Sequence, residues 1–495
     1  MNGTALLLWN TLLFSGVAAL LSVPLGVLIA WLTYRDAIGQ RYLLPVLLAL
    51  IFLPPYVHVA GWDAALGLQG WLVRWLWPNQ PLAVLTGWRG ALFMQTLINV
   101  PWIVLMSGSV LSRLPHAYEE LGAISGTPWQ VLRNVHWPQL SGTCLAAGLW
   151  VFVLSATDVT ITDVYQIRTF AEEIYTAFAL GDTVLGATRH NLAGSLLIVI
   201  VASIAYRQSL RLRSVMNAPV RNLRPARASR WGRAVLIALL LLWTVIPWSS
   251  LLYQAGVMVS TVGDERVRSW SLAKAFTMIA GSPQRFGSEF AWSLALGQVV
   301  SLTLVPLTAL FAWWSRQRRY GRWLLAGVAI LLAAIPAPLL ALGTSSIINR
   351  PDADFLYYLY DRTLFVPWLA VSMRLFPLVC FILVPHLDAI PQQTLDVIRV
   401  SGGGRWTELR HAIWPAMRPT LIWLWLVTLA AAVADLSASI LAVPPGVTTL
   451  SIRIFNLVHY GVTDQLAGLC LAVMLMFGGL TAFVLHVRSW SESEV

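Results

Sequence analysis

Runs of about 20 predominantly apolar residues, the length that crosses a bilayer as a helix, recur along the whole chain and constrain its fold more than any other feature. Eleven are read: 5–33, 42–62, 90–111, 141–161, 191–206, 234–253, 290–314, 324–343, 364–384, 420–443 and 466–486. In lipid every backbone N–H and C=O has to be paired within its own segment, so such runs fold as helices. Composition agrees: of 495 residues 58% are hydrophobic and only 11% charged, against roughly 25% charged in a soluble domain. The 25 tryptophans suit the membrane–water interfaces where Trp collects. The sequence predicts an all-α polytopic membrane protein with the lipid bilayer as its solvent.

The net charge of +11 does not indicate nucleic acid, because the basic residues are clustered. Lys274 is the only lysine, and Tyr206 to Arg233 holds Arg207, Arg211, Arg213, Arg221, Arg224, Arg227, Arg230 and Arg233. A basic loop between spans stays in the cytoplasm. With 207–233 inside, the alternation places 21 basic residues inside and 11 outside, with Arg374 left within a span. The N-terminus then lies outside, and no basic n-region with a small-residue cleavage site precedes the first span. Cys144, Cys380 and Cys470 sit in apolar runs and the eight histidines lack ligand spacing, so neither a metal site nor a cofactor is expected.

The two halves repeat. An offset of 282 lays Thr11 on Ser293, Pro24 on Pro306, Trp31 on Trp313, Gly39 on Gly321 and Pro54 on Pro336. The offset becomes 276 at Pro101/Pro377, Pro115/Pro391 and Gly126/Gly402, then 277 at Pro138/Pro415 and Asp158/Asp435, and 280 at Thr169/Thr449. Matched spans run in the same direction, so the repeat is parallel, about an axis along the membrane normal. Expected domains are 1–206 and 234–495, joined by the basic linker 207–233. Span 234–253 has no first-half partner, so the count is eleven, or twelve if a first helix precedes Met1.

Two loops between spans are too structured for plain connections. PHAYEELGAISGTPWQVLRNVHWPQL (115–140) and PQQTLDVIRVSGGGRWTELRHAIWPAMR (391–418) each begin with Pro, pass an acidic residue, reach Ser-Gly and end in Trp-Pro at the next apolar run. The pattern predicts a short helix, a turn and a second short helix. Gly126 and Gly402 suit the turn because glycine accepts positive φ. Pro115 and Pro391 suit a first helical position, with Glu119, Glu120 and Asp396 in the early turns.

This pattern resembles the EAA loop of type I ABC importer permeases, the transmembrane component that works with a periplasmic binding protein. The resemblance covers most of the chain and implies two parallel-repeat type I transmembrane domains in one polypeptide, in a bacterial inner membrane. It implies that the loops are coupling helices seated on ABC ATPase subunits, expected to be a homodimer. The positions so assigned are Glu119, Glu120, Ala123, Gly126, Trp129 and Pro138, and Asp396, Gly402, Gly403, Trp406 and Pro415. The sequence departs from the pattern in its first loop, with Pro128 after the turn and one residue fewer between Gly126 and Pro138 than between Gly402 and Pro415. The second loop has Asp396 for the usual Glu and the run Gly402-Gly403-Gly404. Docking of unequal strength is expected.

No G-x-x-x-x-G-K-[ST] P-loop occurs, since Lys274 stands in Ser-Leu-Ala-Lys-Ala-Phe. The chain is therefore expected not to be an enzyme, with ATP hydrolysed by a separate partner. As a single chain carrying two permease domains, it is similar first to ferric iron permeases, with thiamine permeases next; polyamine, phosphonate or small anions stay open as cargo. The alternative of another class is an ion-coupled secondary transporter, which would place ionisable residues at the midplane.

Charged residues in or near spans are costly and face a cavity or a partner. Asp158 in SATDVTIT and Asp435 in AVADLSAS hold matched positions; they either line the translocation path or cap a broken helix. Arg374, matched by Ile98, pairs with Asp435, meets substrate, or snorkels to the interface. Glu172 and Glu173 align with Ile452 and Arg453, a placement by which opposite charges would lock an outer mouth.

Overall fold

The computed structural model describes residues 3–36, 38–67, 70–78, 84–113, 127–180, 184–211, 230–262, 265–316 and 318–493. Among them nine helices are long and apolar enough to cross a membrane, and counting two sharply bent helix pairs as one span each brings the number to eleven. From the N-terminus, α1 (Gly3–Arg35) is followed by α2 (Leu44–Phe52), α3 (Pro55–Leu66), α4 (Gly87–Leu111), α5 (Trp137–Thr157), α6 (Phe170–Ala179) and α7 (Val184–Arg211). Then come α8 (Arg230–Gly256), the strands β1 (Val257–Val262) and β2 (Glu265–Trp270), α9 (Leu272–Ala280), α10 (Gly287–Arg316), α11 (Arg319–Ala334) and α12 (Ala337–Ile348). The chain closes with α13 (Phe365–Asp388), α14 (Gln392–Val400), α15 (Trp414–Ala434), α16 (Leu450–Tyr460) and α17 (Thr463–Ser493).

Three expected spans come out differently. Stretch 42–62 is not one straight helix, because the chain bends by 110° between α2 and α3. Stretch 324–343 bends by 103° between α11 and α12. Both breaks fall at proline, with Leu53 (ψ 130°) before Pro54 and Ile335 (ψ 123°) before Pro336 in extended conformation. Proline forces this, since its ring disfavours the helical region for the preceding residue and supplies no N–H. The third is 420–443, whose helix ends at Ala434, the following residues folding as turns. The antiparallel hairpin, paired from Val257 with Trp270 to Val262 with Glu265, lies where the apolar-run reading assigns no element.

Packing follows one scheme twice. Helix α1 packs on α4 and α5, and α10 packs on α13 and α15. Helix α7 crosses to α11, and α17 crosses to α2 and α3. Like hydrogen bonds tie the ends: the Phe170 N–H donates to Thr11 Oγ1 at 3.1 Å, and the Leu450 N–H to Ser293 Oγ at 2.7 Å. Lipid gives helices no hydrophobic drive to associate, so close contact has to come from small residues that let backbones approach. Gly26 is one such residue, where a Cβ would stand 2.7 Å from the Ile103 side chain. Helix α8 packs on α3 and α17. Beyond α3, the Trp71 indole donates to Ser250 Oγ on α8 at 2.8 Å.

Candidate functional site

The C-terminal ends of α5 and α15 converge on one arginine. Asp158 and Asp435 are the residues immediately after these two helices, both in extended conformation. Arg374, on α13, reaches both: Nη2 lies 3.3 Å from Asp158 Oδ1 and Nε 3.1 Å from Asp435 Oδ1. A single cation from the second half thus bridges matched carboxylates of the two halves. Hydroxyls and backbone amides complete the cluster. Ser437 Oγ donates to Asp158, as do the Thr160 N–H and hydroxyl at 3.2 and 3.0 Å. Asp435 Oδ2 accepts from the N–H groups of Ala438 and Ser439 at 3.1 and 2.9 Å. Both aspartates therefore cap backbone and pair with a charge, combining two of the alternatives the sequence left open. With α5 and α15 each 21 residues long, the cluster stands about 30 Å from their N-terminal ends.

The sequence missed the supporting polar groups. Ser437 and Thr160 each follow a carboxylate by two residues, and the hydroxyl-rich tails SATDVTIT and AVADLSAS were the available signal. Gln95 on α4 donates to Ser155 Oγ on α5 at 2.9 Å. This buried bond has no polar counterpart in the second half, where the matched positions are Val371 and Ala432.

Glu172 and Glu173 do not meet Arg453, which corrects the expected lock. Glu173 pairs with Arg168 at 2.7 Å within its own half. Glu172 accepts from the Thr176 hydroxyl at 2.8 Å, and burial pushes its carboxyl above the usual range. Arg453 pairs with Glu289 on α10, Nε to Oε1 2.7 Å. Glu173 and Arg453 each pair with a charge inside their own half, and Glu172 is held by a hydroxyl.

Before the N-terminus of α15 the loop 391–418 folds as a short helix, a glycine turn and a second short helix. Pro391 caps α14 from outside rather than taking its first position, having extended conformation (ψ 134°). Asp396 lies mid-helix, and Gly402 ends the turn at φ +80°. Arg399 Nε donates to Glu408 Oε1 at 2.6 Å, closing the two arms of the turn, and this pairing holds the guanidinium above its ordinary value. Gly403 packs so tightly that a Cβ would stand 2.6 Å from the Ile398 side chain. Gly402→Ala should cost about 1–2 kcal/mol through its left-handed backbone, read as a lowered thermal midpoint of the purified protein; an unchanged midpoint would show that the turn does not hold this conformation.

A π-helical turn leads into each of α5 and α15: Leu132–His136 directly before Trp137-Pro138, and Leu409–Ile413 directly before Trp414-Pro415. The wider turn gives room for a proline ring that would clash with the carbonyl four residues back. In the first loop, Glu119, Glu120, Ala123 and Gly126 lie outside the described residues. The described part starts at Thr127, and its helix opens at Pro128. Trp129 and Trp406, matched at offset 277, both project outward, 66% and 71% exposed.

No family model matches the chain. It is 29% identical over 167 residues to the thiamine transport system permease protein ThiP of Haemophilus influenzae, covering 31% of this chain and 30% of that protein. It is 32% identical over 139 residues to the sulfate transport system permease protein CysT of Escherichia coli, covering 28% and 50%. To ThiP of Salmonella typhimurium it is 25% identical over 371 residues, covering 69% and 64%. The chain spans less than two thirds of the length of these relatives. On its helical spans and these relatives, the chain is a multi-pass protein of the bacterial inner membrane that resembles the permease component of type I ABC importers.

Proposed function

We propose that the chain is the permease subunit of an ATP-binding-cassette importer, with both halves of the pore, 1–206 and 234–495, in one polypeptide. A separate pair of ATPase subunits engages the loops 115–140 and 391–418 from the cytosol, and a periplasmic binding protein delivers a small substrate. The observation that carries this reading is the matched pair Trp129 and Trp406. Two large indoles exposed at matched positions before α5 and α15 are the anchors a partner surface needs, since Trp is enriched among the residues that dominate interface energetics.

The Asp158–Arg374–Asp435 cluster serves as a gate toward the outer half of the pathway. Two carboxylates against one guanidinium leave it net negative, which favours a cationic cargo over sulfate. Thiamine, the substrate in the names of two of the relatives above, is such a cation. Ferric iron, to which the sequence resemblance points, has the same sign of charge, and uptake assays with each in competition separate the two. The class is tested by purifying the chain with its ATPase and binding protein in proteoliposomes. ATP hydrolysis stimulated by loaded binding protein, and lost in Gly126→Val and Gly402→Val, is expected. Uptake driven by a proton gradient without nucleotide would instead assign a secondary transporter.

A further inference from the structure

A cavity of about 440 Å³ opens where the end of α10 meets α14 and the turn after it, lined among others by Trp313, Arg316, Gln392, Arg399, Arg405 and Glu408. Three guanidinium groups face one carboxylate, and that carboxylate is already engaged, its two oxygens accepting from Arg399 Nε and Nη2 at 2.6 and 3.4 Å. The neighbouring acids are engaged as well, Asp388 by Arg322 and Asp396 by Arg399. Arg316 gives Nη2 to the Ile390 carbonyl at 2.7 Å, while its Nη1 is buried without a partner. The Trp313 indole N–H, one turn back on α10, is also buried without a partner.

The lining therefore offers surplus positive charge, three guanidinium groups against one engaged carboxylate, with the two unpaired N–H donors sealed behind its wall. A cation would be repelled here, and an apolar group would displace water from guanidinium charge and leave it unpaired, a costly state. A group that carries only acceptors and negative charge meets both demands, and planar guanidinium forks fit tetrahedral oxyanions well. We propose that this cavity binds a phosphate-type oxyanion, which ties the end of α10 to the Arg405 arm of the turn. The three arginines are not repeated in the first-half sequence. At the matched offsets, Arg316, Arg399 and Arg405 correspond to Tyr34, Ala123 and Pro128. Because Arg316 is the last residue of a span, the oxyanion is either free phosphate or the phosphoryl group of an anionic lipid; both present the same chemistry. Binding is read on the permease by itself, so it stands or falls separately from the transport reading.

The test uses the full chain in nanodiscs of phosphatidylcholine, titrated with inorganic phosphate, and in nanodiscs containing phosphatidylglycerol without phosphate. A thermal midpoint raised by phosphate in the first set identifies a free anion; one raised only in the second identifies a lipid headgroup. In either case Arg316→Gln and Arg405→Gln should weaken the response roughly tenfold or more, the expected loss for a charge-assisted hydrogen bond. Arg405 is exposed, so Arg405→Gln keeps the test sound if Arg316→Gln does not fold. No response in either set, or a response that Arg405→Gln retains in full, overturns the proposal.

Discussion

Arg374→Leu is expected to destabilise the protein by about 3–5 kcal/mol, the cost of removing one partner from a buried ion pair. Arg374 keeps a quarter of its side chain accessible while Asp435 keeps 2%, so the loss should fall toward the lower end of that range. The substitution leaves Asp158 and Asp435 facing the same space with no cation, each still bound to hydroxyls or amides of its own half. The thermal midpoint of purified protein reads the effect. The triple change Arg374→Leu, Asp158→Asn, Asp435→Asn removes every charge together and should recover most of the midpoint, because no unpaired ion remains. Transport distinguishes gate from scaffold. If the triple variant folds at normal levels and transports as well as the native chain, the cluster is a structural staple and the gate reading fails.

Truncating the exposed indoles should act on partner binding and leave the fold intact. Trp129→Ala and Trp406→Ala are each expected to weaken ATPase association by about 2 kcal/mol, roughly 30-fold, as for a central aromatic anchor. The double variant should lose the ATPase on purification. Because both side chains are mostly exposed, folding stability should change by no more than about 0.5 kcal/mol. Titration of labelled ATPase onto permease nanodiscs measures the affinity. Retention of native affinity in the double variant would remove these residues from the docking surface. The departures in the first loop, Pro128 and the missing residue, lead us to expect unequal losses in the two single variants.

Much of this was legible in the sequence, for identifiable reasons. Apolar runs report helices because lipid leaves the backbone no other way to pair its polar groups. Pro54 and Pro336 were visible as matched prolines, yet the bends they produce were not, since a run of hydrophobic residues reads the same whether straight or broken. The glycine turn at Gly402 was readable from residue type, and its φ of +80° is the conformation glycine alone takes freely. Glu172, Glu173 and Arg453 were misplaced by alignment, which orders positions along two halves and carries no distance between them. Arg168 and Glu289 stood closer and took the pairs.

The sequence by itself determined that the chain lies in a membrane as many helices, and it set Asp158 and Asp435 at matched offsets. Those properties are local or periodic, and one-dimensional order records them. That one arginine would stand between both aspartates was decided only by the tertiary structure. Arg374 lies on α13, and only the packing of α5, α13 and α15 sets its guanidinium within 3.3 Å of both carboxylates. Charges draw together where side chains and backbone bring them into reach, and in a low-dielectric interior an unpaired one is too costly to keep.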